Sequence, residues 1–183
     1  MRAVRSLIAG AIAVTLISAT AAAQTMVQTA MGKGGSPHVK TSWTVDGAHL
    51  SIEYGRPFLK GRPEAKLMPP DSVWRSGADE ATVLVTDKPL KFGALSLPAG
   101  NYTLNTKPGA KEWQLIVGKL GSPGQWGIPY DTKLEIGRAR MALGKAKAPV
   151  EQVTFSIDDT AAGATLRIEW GTTSASIPFT VGG

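Results

Sequence analysis

The feature that most constrains this chain is an alternation of period two that recurs from about Val39 to Val181. In Ala48-His49-Leu50-Ser51-Ile52-Glu53-Tyr54, one face carries Ala48, Leu50, Ile52 and Tyr54 and the other His49, Ser51 and Glu53. Successive strand side chains point to opposite faces, so this is the mark of a strand buried on one side only. Trp113, Leu115 and Val117 repeat it, as do Val153, Phe155 and Ile157, then Ala164 to Trp170, then Ala175 to Val181. Turn-forming stretches separate them, among them Asp46-Gly47, Pro98-Ala99-Gly100-Asn101 and Pro108-Gly109. Further strands are expected at 40–45, 81–86, 101–106 and 133–143, about nine in all, at the spacing of all-β domains. Helical periodicity is absent apart from one turn between Arg62 and Leu67, which Pro69-Pro70 would end. The expected fold is an all-β antiparallel sandwich, jelly-roll or immunoglobulin-like, of two sheets face to face, with partial closure to a barrel left open. Phe155, Ile168 and Phe179 are expected in its core.

Residues 1–23 read differently. Arg2 and Arg5 precede an uncharged apolar stretch from Leu7 to Ile17, and Ala21-Ala22-Ala23 stands before Gln24. This is the pattern of a secretory signal peptide with cleavage after Ala23, too weakly apolar for a lasting anchor. The mature protein is expected to be periplasmic or secreted, with residues 24–35 as a flexible lead-in that shows neither period, and 36–183 as a single domain. The 183 residues include no Cys and only His38 and His49 as histidines. Zinc–thiolate sites, iron–sulfur clusters, disulfides and three-histidine metal centres are thereby excluded, and no cofactor or metal is expected. Without Arg2 and Arg5 the 20 basic residues fall to 18 against 14 acidic ones, a net +4. The basic residues are scattered, so no nucleic-acid surface is expected.

Candidate chemistry concentrates between Glu53 and Glu80, a proline- and glycine-punctuated stretch holding Arg56, Arg62, Trp74, Arg75, Asp79 and Glu80. The arginines could form a fork for a carboxylate or phosphate, with Trp74 as a stacking face. Equally, they could tie the loop to the sheets by bonding carbonyls and pairing with Glu53, Asp79 and Glu80, the commoner use. Arg75 is assigned chiefly that structural role, and any ligand charge falls to Arg56 or Arg62. Trp126, in Gly124-Gln125-Trp126-Gly127 and near Tyr130, either stacks on a sugar or plugs the end of the core; the plug is favoured because burying an indole is stabilising. Trp43, Trp113 and Trp170 fit core packing. His49 should face solvent and His38 should bond a neighbouring segment. Asp79 and Glu80, as strand neighbours, should point to opposite faces. The leading reading is a non-enzymatic binding module for a small anionic or saccharide ligand, or for an envelope protein. The contact residues would be Arg56, Arg62, Trp74, Arg75, Glu80, Trp126 and Tyr130. A glycan hydrolase acting through Glu53 and Glu80 is the alternative, and no catalytic residue is assigned.

Several stretches occur together in a particular order: Ser36-Pro37-His38, SIEYGRP from Ser51, KGRP from Lys60, VWRSGADEAT from Val73, LPAGNYTL from Leu97, GAKEWQLI from Gly109 and GQWG from Gly124. In that order and spacing the chain resembles the exported bacterial proteins of the domain of unknown function family 2911, across about residues 36–181. The family usually reads WRTGANEAT, so Ser76 and Asp79 depart from it. The resemblance implies a secreted, all-β domain; no activity, ligand or catalytic residue comes with it.

Overall fold

The computed structural model describes residues 20–21 and 23–182. The leader expected at residues 1–23 therefore lies almost wholly outside the described residues. Eleven strands follow one another: β1 (Thr20–Ala21), β2 (Gln24–Met31), β3 (Pro37–Val45), β4 (Ala48–Gly55), β5 (Thr82–Thr86), β6 (Leu90–Phe92), β7 (Leu95–Leu97), β8 (Gly100–Lys107), β9 (Glu112–Lys119), β10 (Glu135–Thr160) and β11 (Gly163–Val181). The single turn of α-helix, α1 (Glu64–Leu67), falls where Pro69 stops it. The all-β antiparallel expectation holds.

The sequence leads to the expectation that these strands divide between two sheets face to face, and the structure corrects it. They share one, in the order β2-β3-β4-β5-β8-β9-β10-β11-β6-β7, with β1 beside β10. It is not closed into a barrel, since β2 and β7 remain its two ends. Two long strands give this sheet its two layers. β10 pairs with β9 through residues 135–142 and with β11 from Ala142 to Thr160, with register shifts between Lys145 and Val150 and again before Thr154. Such bulges bend a strand and raise its twist, and Gly171, at φ 61°, bends β11 opposite them. The sheet thereby turns back on itself. Tyr54 of β4, which does not pair with β10, lies edge-on to Phe155 at 4.8 Å, and its hydroxyl accepts the Phe155 N–H at 3.2 Å.

The core between the layers is a single cluster that includes Ile52, Leu84, Leu104, Leu115, Phe155, Ile168 and Phe179. Each such side chain contributes about 1.5–3 kcal/mol by leaving water. Within residues 24–35, expected as a flexible lead-in, Gln24–Met31 is a strand hydrogen-bonded to β3. All eight of its residues are exposed, so the amphipathic signal that would have revealed it was missing.

Candidate functional site

Two connections that are not strands meet on the outer face of the sheet. One joins β4 to β5 through residues 56–81, and the other joins β9 to β10 through residues 120–134. They are laced together by backbone: Ala81 N–H donates to the Gln125 carbonyl at 2.8 Å, and Gly127 N–H to the Asp79 carbonyl at 3.0 Å. Gly127 permits the contact, because a Cβ there would sit 2.6 Å from Arg75 Cδ.

Within the first connection Ser76 and Asp79 adopt left-handed backbone, φ 60° and 63°. Asp tolerates that region through its short polar side chain. The reversal at Asp79 overturns the expectation that Asp79 and Glu80 diverge, because that rule needs extended backbone at both positions. Both carboxylates instead reach His38 on β3: its Nε2 is 3.1 Å from Asp79 Oδ2 and its Nδ1 3.2 Å from Glu80 Oε2. The Glu80 approach is close but out of line, leaving its buried Oε2 without a hydrogen bond. Gly32, in the β2–β3 turn, presses against the pair; a Cβ there would stand 2.0 Å from Asp79 Oδ2.

His38 and Glu80 are among the lining residues of a cleft of about 460 Å³. Glu53, Val83 and Asn101 are among its lining residues, with Thr29 and Ala30 from β2 and Pro123 and Gln125 from the second connection. Glu53 and Val83 stand directly opposite each other in the β4–β5 register. No Lys or Arg lines it among the described residues. Nor, among those residues, is any group of three His, Asp or Glu arranged to hold a metal ion.

The residues singled out from sequence fall into three places. Glu80 and Arg75 are at the corner just described, Arg75 donating to the carbonyls of Gly77 and Asp79 at 3.2 and 3.4 Å. Trp126 is beside them through its backbone bridge to Glu80. It is 46% exposed, which corrects the plug reading. Tyr130 lies further along the same connection and donates its hydroxyl to Glu135, which also binds Arg138. Burial and that bond to a carboxylate push the phenol up to about 12.

Arg56, Arg62 and Trp74 are not brought to the cleft. Arg56 donates to the Val153 carbonyl at 2.9 Å and to Thr154 Oγ1 at 3.0 Å, and Arg62 to the carbonyls of Leu59 and Phe58. Among the described residues none of the three arginines is ion-paired with Glu53, Asp79 or Glu80. Their partners are mostly carbonyls, because an irregular connection leaves carbonyls that no ladder satisfies. Trp74 is buried, stacked on Trp170 at 5.8 Å and edge-on to Trp113 at 6.2 Å. His49 is exposed as expected, bonded to Asp87 at 2.8 Å.

Sequence reasoning missed His38, Asn101 and Gln125 as site residues. The first two carried a signal, a polar residue on the outward parity of its strand; Gln125 carried none.

Residues 36–179 match the family described as Protein of unknown function (DUF2911). No curated protein matches the chain, and neither does any solved structure.

Proposed function

The chain belongs to the DUF2911 family of unknown function, and on the geometry of the cleft we propose that it is an exported, non-enzymatic binding protein for a small saccharide, neutral or amine-bearing. The observation that carries this reading is the lining. Glu53 and Glu80 supply carboxylates, Asn101 and Gln125 supply amides, Thr29 a hydroxyl, and no Lys or Arg is among them. Carboxylates and amides satisfy hydroxyl and ammonium groups, and the two carboxylates repel an anion. The anionic half of the sequence-based expectation rested on arginines that are occupied elsewhere. Export rests on the apolar stretch from Leu7 to Ile17 behind Arg2 and Arg5.

A thermal-shift comparison of glucosamine, N-acetylglucosamine and galacturonic acid tests the proposal. Binding to the folded state alone stabilises by about 2.7 kcal/mol at one hundred times the dissociation constant. The expected order is glucosamine, then N-acetylglucosamine, with galacturonic acid inert. Stabilisation by galacturonic acid alone, or by none of the three, overturns it.

One observation favours a second reading, a glycan hydrolase: Glu53 and Glu80 line the same cleft. A glycosidase needs two carboxyl groups about 5–10 Å apart across a sugar, and here Glu80 already faces His38. Release of reducing ends that Glu80→Gln abolishes would favour this reading over the first.

A further inference from the structure

The cleft is not the largest hollow on its face of the sheet. A groove of about 640 Å³ lies further along the same strands, with Thr25, Lys40, Ser42, Ser51, Val85 and Asp87 among its lining residues. The register shows how the two hollows meet. Ser51 of β4 stands opposite Val85 of β5, and Glu53 opposite Val83. Positions two apart on a strand share a face, so the groove's Ser51–Val85 pair and the cleft's Glu53–Val83 pair are neighbouring steps of one floor. β3 continues both steps, with Ser42 opposite Ser51 and Lys40 opposite Glu53. β2 supplies Thr25 to the groove and Thr29 to the cleft, so it borders both.

We propose that cleft and groove form one trough that binds an extended glycan chain of several units, the amine-bearing unit at the His38–Glu80 end. The inference rests on the saccharide reading of the cleft and extends it from one sugar to a polymer. From Ala81 to Asp87 the trough follows the line of β5 for about 20 Å, at ~3.3 Å per residue, longer than a single sugar ring needs. Its chemistry also changes along that length. The cleft end holds Glu53 and Glu80, with Lys40 opposite Glu53 at the junction, whereas the groove beyond offers the hydroxyls of Thr25, Ser42 and Ser51 on the way to Asp87. An ammonium group is matched at one end and uncharged hydroxyls at the other, an asymmetry that orients a chain and has no use for a monomer.

Calorimetric titration of the protein with glucosamine, and with β-1,4-linked N-acetylglucosamine oligomers of two to six units that carry a single glucosamine at one end, tests the inference. The dissociation constant should fall by about tenfold or more from the dimer to the hexamer, since each seated unit adds contacts without a second loss of rotational and translational freedom. Val85→Arg should weaken the hexamer by a larger factor than the dimer. In the unmodified protein, the hexamer alone should shift the backbone amide resonances of Thr25, Ser42 and Thr86. Equal affinities for dimer and hexamer, with shifts confined to residues near His38 and Glu80, overturn the trough and leave the cleft reading standing. Failure of every oligomer to bind overturns both.

Discussion

The connection from Arg56 to Ala81 contains two regions built on opposite terms. Its first part is a fastening. Arg56 bonds β10, Leu59 N–H donates to the Glu151 carbonyl at 2.7 Å, and Trp74 is stacked into the core while its N–H and carbonyl pair with Thr106. The Glu64 carboxylate, reaching across to the bend in β11, accepts from Thr172 N–H at 2.7 Å and from the hydroxyls of Thr172 and Thr173. Its last part, from Arg75 to Ala81, holds two acids on one imidazole and the unbonded Glu80 Oε2. Satisfied groups and buried area hold the first part in place. The second keeps two carboxylates side by side and one buried carboxylate oxygen without a hydrogen bond, and its neighbours hold it in place. One loop can therefore serve stability and recognition with different residues.

Substitutions in the two parts should separate these roles. Trp74→Ala removes an indole from the stack with Trp170 and Trp113 and should cost about 3–5 kcal/mol in a urea or thermal unfolding curve; a near-neutral result would erase the fastening. Arg56→Ala should come next, at about 1–3 kcal/mol, because carbonyl acceptors lose a charged donor. Its saccharide-induced thermal shift should be undiminished, and loss of that shift would move Arg56 into the site.

Glu64→Gln should cost less, under about 1 kcal/mol, since the carboxylate is partly exposed and screened. Burial pushes this carboxyl up, but the bonds from Thr172 and Thr173 outweigh it and hold it below its ordinary 4.5. A carboxyl lowered on folding stabilises fully above its unfolded value and loses that contribution as pH falls through the folded one. Unfolding midpoints of parent and Glu64→Gln should thus differ near neutrality and converge as the pH falls below the carboxyl's ordinary 4.5 and through its lowered folded value; a gap that widens in acid would reverse the sign. Gly32→Ala should change global stability least. It forces a methyl group into Asp79 Oδ2 and His38 Nε2, so the saccharide-induced shift should disappear. Persistence of that shift would detach the His38 corner from recognition.

The strands were legible wherever one face is buried, which is why Phe155, Ile168 and Phe179 lie in the core as their parity requires. β2 was illegible for the complementary reason, exposure of all its residues. The arginines were legible as ties to carbonyls, but the acid partners expected beside them are not theirs among the described residues. Which carbonyls go unsatisfied depends on where an irregular segment lies, and no periodicity records that. Trp74 misled in the same way: outside any strand pattern, nothing local distinguishes a core indole from an exposed one.

By itself the sequence determined the antiparallel all-β class, the inward and outward parity of most strands, the lack of any cysteine chemistry and the family. These follow from local rules, residue type and a period of two, that act before distant segments meet. Only the tertiary structure decided that all the strands join one sheet, that the β10 and β11 bends fold it over, and that His38 meets Asp79 and Glu80 some forty residues away. Those outcomes depend on bulges, on a left-handed residue at Asp79 and on glycines that admit close backbone approach. Their effect is to redirect side chains across space, and a linear pattern carries direction only while the backbone stays regular.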